Sequence, residues 1–373
     1  MDFKPIKLKG NVIHDFPYPK RGRKCPHLGL ISLTPSGSCI YQCPMCYARA
    51  YPWSVQEFFV YENLPQKFEA EIREARILPS FYLSQITDPL QPVKEVRELT
   101  YAIIRIILKY GLSFHITTKS ADGSIELLRV IPELKEYPYW FIAMSVESPP
   151  GKELVTSPGA STIKERLYAM EELNKLGVTL VGRIDPIILG FVETSEIIWL
   201  VNELAAIGVK HIITSTGHYN RLSMSRLLKS IEESKWRKLR ARVVQIYGFS
   251  DNPNKKKFRA PWKKRIELHT FLRKEVERLG MTYAVCLELP KEYDSPGLPS
   301  CEGVNNIFLY VKREDGKFHP ICYGDCIRSC PDVKNPPCGN KSMQDEYPYK
   351  AKTLGIRKRG LSRHSERSEE SLF

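Results

Sequence analysis

Cys39-Ile40-Tyr41-Gln42-Cys43-Pro44-Met45-Cys46, with Tyr47-Ala48-Arg49 behind it, is the stretch from which the fold of this chain can be argued. Its thiols follow a C-x3-C-x2-C spacing. Three thiolates so placed suit three irons of a cubane [4Fe–4S] cluster. Clusters of this kind ordinarily take four cysteines, so a tight set of three leaves one iron to a ligand from outside the chain. Structural zinc is the competing assignment, because its sites use C-x2-C pairs and Cys43-Pro44-Met45-Cys46 is one. It leaves Cys39 without a purpose. The apolar run 28–34 just upstream reads as a short buried strand. The cysteines then lie at the C-terminal mouth of that strand, where barrel active sites are built.

Downstream, the sequence alternates between two periods. Strand patterns fall at 80–84, 113–117, 140–145, 178–184 and 210–214, and helix patterns at 65–75, 93–110, 123–136, 162–176 and 194–207. Such alternation argues for a parallel sheet with helices outside it. A doubly wound sheet fits it equally well. The cysteine loop at a strand mouth decides for an α/β fold of another kind, an open partial (β/α)6 barrel with a Cys-rich C-terminal extension. The expected organisation is an arm at 1–24, the barrel at 25–230, a basic and Cys-rich module at 231–349, and a disordered tail at 350–373. The tail is polar and low in complexity from Arg357 on.

The cysteine triplet resembles the signature of the radical S-adenosylmethionine (SAM) enzymes. That resemblance implies that SAM chelates the open iron. It implies too that one electron from the cluster cleaves the sulfonium to a 5′-deoxyadenosyl radical, which calls for a reductant such as flavodoxin or ferredoxin. A narrower likeness, over roughly residues 25–220, adds Tyr47, Thr87-Asp88-Pro89, Thr117-Thr118-Lys119-Ser120 and Met144-Ser145-Val146-Glu147. Together these are similar to the spore photoproduct lyase branch. The likeness implies that Thr87 and Asp88 hold the SAM amino end, Lys119 its carboxylate and Ser145 its ribose, with Tyr47 as a catalytic residue. A cation on a carboxylate and short acceptors on an ammonium are sound pairings. Two positions depart from the branch. Gln85 stands where its hydrogen-donating cysteine would be, and an amide has no weak S–H bond. Met45 replaces an aromatic residue before the last cluster cysteine. A relative acting on another substrate is therefore expected.

Composition bounds the rest. The 373 residues are 42% hydrophobic, enough for a large core, and no apolar run approaches the ~20 residues of a membrane span. The first residues lack a signal-peptide core, and disulfide frameworks belong to small secreted domains. The ten cysteines are therefore expected to be reduced and the compartment cytoplasmic. Four of Cys301, Cys322, Cys326, Cys330 and Cys338 would suffice for an auxiliary [4Fe–4S] cluster or a structural zinc. Cys25 and Cys286 read as buried small hydrophobes. The net charge of +14 is concentrated: residues 235–265 hold twelve Lys/Arg against the single acid Asp251. Trp236, Tyr247, Phe249, Phe258 and Trp262 are interleaved there. A basic, aromatic-studded stretch suits nucleic acid, through phosphate contacts and base stacking, although it suits a solvated helix face as well. The rival function is a nucleic-acid-binding protein whose thiols hold structural zinc.

Overall fold

Seven short segments, apolar because both their faces are covered, form one parallel sheet. They are β1 (Gly29–Ile31), β2 (Phe81–Leu83), β3 (Phe114–Thr118), β4 (Trp140–Ser145), β5 (Leu180–Ile184), β6 (His211–Thr214) and β7 (Thr282–Val285). Their order across the sheet is β7-β6-β5-β4-β3-β2-β1. The computed structural model describes residues 3–17, 24–326, 330–345 and 347–359. The helices α1 (Leu64–Glu74), α2 (Lys94–Lys109), α3 (Ala121–Val130), α4 (Ile163–Lys175) and α5 (Thr194–Ile207) connect β1 to β6 in turn. Between β6 and β7 come α6 (Arg221–Glu232), α7 (Arg240–Tyr247) and α8 (Trp262–Arg278).

Six strand–helix units were legible in advance; the stretch 283–287 also reads as strand-like, but its place as a seventh strand of the same sheet was not legible. Tyr283 to Val285 belong to β7, which pairs in parallel with β6 from Thr282↔His211 to Val285↔Thr214. Cys286 follows the strand's end and lies half-buried at the sheet's mouth, not in the core as expected.

Successive side chains on a strand point to opposite faces, which gives the sheet two cores. Outside, α1 to α5 pack on one large apolar cluster that includes Leu83, Ile116, Ile142, Ile184 and Ile212. Inside, Leu30, Tyr82, Phe141, Val181, Ile213 and Ile307 form a smaller one. Register places Leu30, Tyr82, His115 and Phe141 side by side across four strands. His115 stacks 4.2 Å from Tyr82 and 4.7 Å from Phe141. This layer floors the barrel, so the space above it opens only at the C-terminal strand ends.

The two chain ends are worked into this body. Lys4–Ile6 pairs with Phe59–Tyr61, and the buried Glu71 carboxylate on α1 accepts from the Val12 and Ile13 amides at 2.8 and 3.0 Å. Residues 18–23, part of the expected arm, lie outside the described residues. Strand Leu309–Lys312 joins Phe318–Cys322 to Ile77–Pro79. Leu354 and Ile356 are buried, and Arg359 pairs with Glu74 at 2.5 Å, so residues 350–359 are packed. The rest of the expected tail, 360–373, lies outside the described residues. Among the described residues no helix is long and apolar enough to cross a membrane.

Candidate active site

The cysteine loop leaves β1 and is held from beneath by small hydroxyls. Thr34 Oγ1 donates to the Ser38 carbonyl at 3.2 Å, Ser36 Oγ to the Ala48 carbonyl at 2.6 Å, and Ser38 Oγ accepts from the Phe59 amide at 3.1 Å. Gln42 takes a left-handed φ of 46°, which costs about 1 kcal/mol for a residue with a side chain. Its amide group offsets that cost by donating to the Gly37 and Cys39 carbonyls. Arg49 donates to the Gln42 and Cys43 carbonyls, and Arg226 of α6 to that of Cys46 at 3.0 Å. With its carbonyls tied back, the loop carries Cys39, Cys43 and Cys46 half-buried. Burial pushes the Cys43 thiol up to about 12, against the pull of Lys119.

Cys43 and Cys46 line a cleft of about 2380 Å³ that opens over the barrel floor. Its wall takes residues from the ends of six more strands: Gln85 after β2, Thr117 and Lys119 from β3, Ser145 of β4, Arg183 and Asp185 from β5, Ser215 after β6, and Cys286 after β7. Tyr47 is 47% exposed on this wall and donates to the Gln85 carbonyl at 2.6 Å. Tyr51 meets it edge-on at 5.7 Å and stacks on Trp53 at 4.7 Å.

Lys119 and Ser145 therefore stand where the sequence placed them, over the cleft. Lys119 is not a free cation, since its Nζ bonds Glu147 Oε2 at 2.7 Å. Glu147 is fully buried and also accepts from Arg166 Nη1 (2.9 Å), Thr156 Oγ1 (3.0 Å) and Ser157 Oγ (2.5 Å). Burial alone would raise its carboxyl, but the Lys119 and Arg166 charges outweigh that and hold it well below the usual range. Arg166 in turn donates to the Ser145 carbonyl at 2.9 Å. This buried network fixes both cleft residues.

Thr87 and Asp88 are placed otherwise. Both are buried beneath the cysteine loop, and neither lines the cleft. Thr87 Oγ1 accepts from Thr34 Oγ1 at 3.0 Å. Asp88 accepts from the Leu90 amide (2.9 Å), Thr118 Oγ1 (2.8 Å) and the Lys119 amide (2.6 Å). Asp88 thereby ties β2's end to β3's, and Thr87 ties it to the loop after β1. Sequence reasoning missed Thr117, Gln85 and the Arg183 group as wall residues. Thr117 Oγ1 and Gln85 Oε1 are buried, and neither makes a well-formed hydrogen bond, although the Tyr82 hydroxyl lies beside Thr117. Arg183 reaches Asp185 at 3.2 Å and the buried Glu302 at 3.4 Å. Position at a strand's last inward-pointing residue was the available signal for Thr117 and Arg183.

The expected second metal group divides. Cys301 is buried against Ala284 and Leu298 and hydrogen-bonds with Cys25, apart from the group formed by the other C-terminal cysteines. Cys322, Cys330 and Cys338 lie close enough to feel one another's charge, and Cys326 is buried in the main core. Among the described residues no three His, Cys, Asp or Glu side chains converge to hold a single metal ion. The ligands of a cubane sit on separate irons, so its thiols need not meet at one point.

Residues 33–205 match the family model described as the radical SAM superfamily. A curated relative, "Radical SAM Nalpha-GlyT isomerase" of Pseudomonas phage M6, is 23% identical over 323 residues, 85% of this chain. The chain spans 66% of that relative's length. Among solved structures, spore photoproduct lyase complexed with dinucleoside spore photoproduct aligns at a TM-score of 0.47 with 17% identity, over 65% of this chain and 72% of that one. Streptococcus suis SuiB bound to S-adenosylmethionine aligns at 0.45 with 11% identity, over 67% and 48%. The matched segment runs from the residue before the loop's first buried threonine into the last turn of α5, taking in the cysteine triplet and four of the seven sheet strands, and over that segment the chain is similar to the radical SAM superfamily.

Proposed function

We propose that Cys39, Cys43 and Cys46 ligate a [4Fe–4S] cluster and that SAM lies in the cleft between their loop and the wall made by Thr117, Lys119 and Ser145. One observation carries this reading: a single loop carries three half-buried thiols, two of them on the rim of a cleft whose wall also holds a lysine and the hydroxyls of Thr117 and Ser145. The donor set fits the group, since soft thiolates suit iron–sulfur clusters. When bound and reduced, the pair supplies a carbon-centred radical that takes a hydrogen atom from substrate. The chain's own part is to orient and to exclude water. Lys119 keeps two of its three donors after pairing with Glu147, and these meet a carboxylate. The Thr117 and Ser145 hydroxyls face ribose, and Tyr47 with Tyr51 walls the substrate side. Thr87 and Asp88 act by positioning.

A nucleic acid is the substrate class that best fits the cleft's rim. Arg221, Lys256, Lys257, Arg259, Lys350, Lys352 and Lys358 all line the cleft, a group of cations suited to a phosphate backbone. The curated relative is named an isomerase of Nalpha-GlyT, and a redox-neutral rearrangement is the reaction type carried over. The Cys322, Cys326, Cys330 and Cys338 group is where an auxiliary cluster or zinc would bind.

The test is anaerobic reconstitution followed by reduction with dithionite and assay for 5′-deoxyadenosine. Loaded protein should form it, with about four irons per chain for one cluster and about eight for two. Cys39→Ala should lose the first set and all cleavage. A fully loaded wild type that leaves SAM intact would rule the reading out.

A further inference from the structure

The barrel holds three thiols that the cluster loop does not use. Cys25 precedes β1, Cys286 ends β7, and Cys301 lies on the segment that covers the seam between them. Cys25 and Cys301 are in hydrogen-bonding contact, and Cys286 lies close enough to Cys25 to feel its charge. Cys25 and Cys286 both line the cleft that Cys43, Cys46 and Lys119 line, while Cys301 is buried behind them.

Cys286 is aimed at the cleft by its backbone. Its amide donates to the Thr214 carbonyl at 2.8 Å, and its carbonyl accepts from the Glu288 amide at 2.7 Å. Between these, Leu287 takes φ 58°, the left-handed region that a branched side chain avoids. Strain of this kind persists only where the surroundings over-determine it. Here Glu288 is pinned by the Thr216 amide at 2.8 Å and hydroxyl at 2.9 Å, and its carbonyl by Arg265 at 2.8 Å. The thiol stands 4.0 Å from Arg183 Nη2. Burial and the Asp185 and Glu302 carboxylates keep it protonated against Arg183's pull.

A substrate radical in this cleft must be quenched, and Gln85 has no hydrogen atom to give. We propose that Cys286 is the hydrogen-atom donor, with Cys25 and Cys301 as the thiols that refill it. The assignment rests on the radical SAM reading above. In the step, the carbon radical gains a C–H bond as the Cys286 S–H bond breaks homolytically, leaving a thiyl radical on Cys286. Cys25 returns a hydrogen atom to Cys286 and moves the unpaired electron toward Cys301, out of the cleft. One electron from a low-potential flavin or iron–sulfur protein, the class that reduces the cluster, and one proton from solvent restore the thiol.

The experiment uses cluster-loaded full chain in D2O with SAM as the probe and no substrate, so that the weak exchanged bonds facing the cleft are its own S–D and phenolic O–D bonds. Deuterium is read per molecule of 5′-deoxyadenosine formed, whatever the rate. Wild type should incorporate solvent deuterium, and Cys286→Ser, whose O–H bond is too strong to give a hydrogen atom, should incorporate severalfold less. Equal deuterium in both would overturn the assignment while leaving the radical SAM reading standing. No 5′-deoxyadenosine from wild type would overturn both. A second measurement needs no cofactor. The S–H infrared band present in wild type and missing in Cys286→Ala should persist above the pH at which an ordinary cysteine, of pKa about 8.5, ionises. Its loss at that ordinary pH would mean an exposed thiolate in place of a stored hydrogen atom, and would also overturn the proposal.

Discussion

Lys119 reaches the cleft as a tethered cation, and that single side chain shows what sequence can and cannot say about a site. Its place just past β3 was legible, because residues at the C-terminal ends of barrel strands face the active site. The partner that holds it was not, since Glu147 comes from the next strand's end and is satisfied by residues on α4 and the loop before it. Asp88 illustrates the reverse. A carboxylate after a strand reads as a ligand contact, yet its three donors, two of them from β3's end, turn it inward. Only the packed neighbour reveals the direction. Lys119→Met should weaken SAM binding to loaded enzyme roughly tenfold to hundredfold, the worth of one hydrogen bond to a charged group. Glu147 keeps Arg166, Thr156 and Ser157, so the fold should survive with a loss of about 1–3 kcal/mol. Equilibrium dialysis with SAM checks the first figure and urea unfolding the second. Unchanged affinity would confine Lys119 to a structural role.

At the scale of elements, β6 and β7 carry the clearest pH signature. His211 opens β6, with Nε2 donating to the Cys301 carbonyl at 3.0 Å and Nδ1 against the Thr282 hydroxyl of β7 at 2.8 Å. The ring thereby fastens two strands to the segment that carries Cys301 and Glu302. The fit is close: Gly303, at φ 70°, has no room for a Cβ, which would lie 2.1 Å from the imidazole. Burial, despite the Cys301 carbonyl, pushes the His211 pKa down to about 4. Below about pH 6.5 the unfolded chain takes up the proton and the folded one does not. The contribution is therefore complete above that pH and lost as pH falls through about 4, roughly 3 kcal/mol in all. His115, buried in the barrel floor and lowered by burial and by Arg183, acts in the same direction. The His211 share is read by difference: His211→Gln should flatten the fall in urea midpoint between about pH 7 and pH 4.5. A variant as acid-sensitive as wild type would assign the effect elsewhere. The stretch 283–287 reads as strand-like, but β7's place in the sheet escaped sequence reading for a physical reason. Three helices separate it from β6, so the strand–helix alternation that exposed the other six breaks off just before it.

At the scale of the whole molecule, a group of cations lines one opening, and the aromatic residues of the basic stretch are mostly not where the sequence put them to use. In the stretch 235–265, Tyr247 and Phe258 are buried and Trp236 packs on Phe191. They serve the core, because a basic helix still needs an apolar face, and composition cannot separate the two uses. Trp262 stays exposed but does not line the cleft, and the stacking surface inside it is formed by Tyr47, Tyr51 and Trp53 on the cysteine side. The cations did keep a role at the rim. Lys257 and Arg259 lie on a strand paired with His218–Asn220, and they line the cleft together with Lys350 and Lys352. A polyanion bound there releases counterions, so log K should fall linearly with log salt, by about 0.7 per phosphate engaged on a single strand. Single-stranded oligonucleotide binding should weaken steeply with salt, and the double substitution Lys256→Ala with Lys257→Ala should make that slope shallower by about 1–2 without changing sequence preference. Trp53→Ala should act differently. Loss of a stacking contact weakens binding by about 1–3 kcal/mol at every salt concentration and leaves the slope alone. Fluorescence anisotropy across a salt series separates the two. Binding whose salt slope is indifferent to the rim lysines would mean that the cleft admits a small, weakly charged substrate, and that these cations only keep the surface soluble.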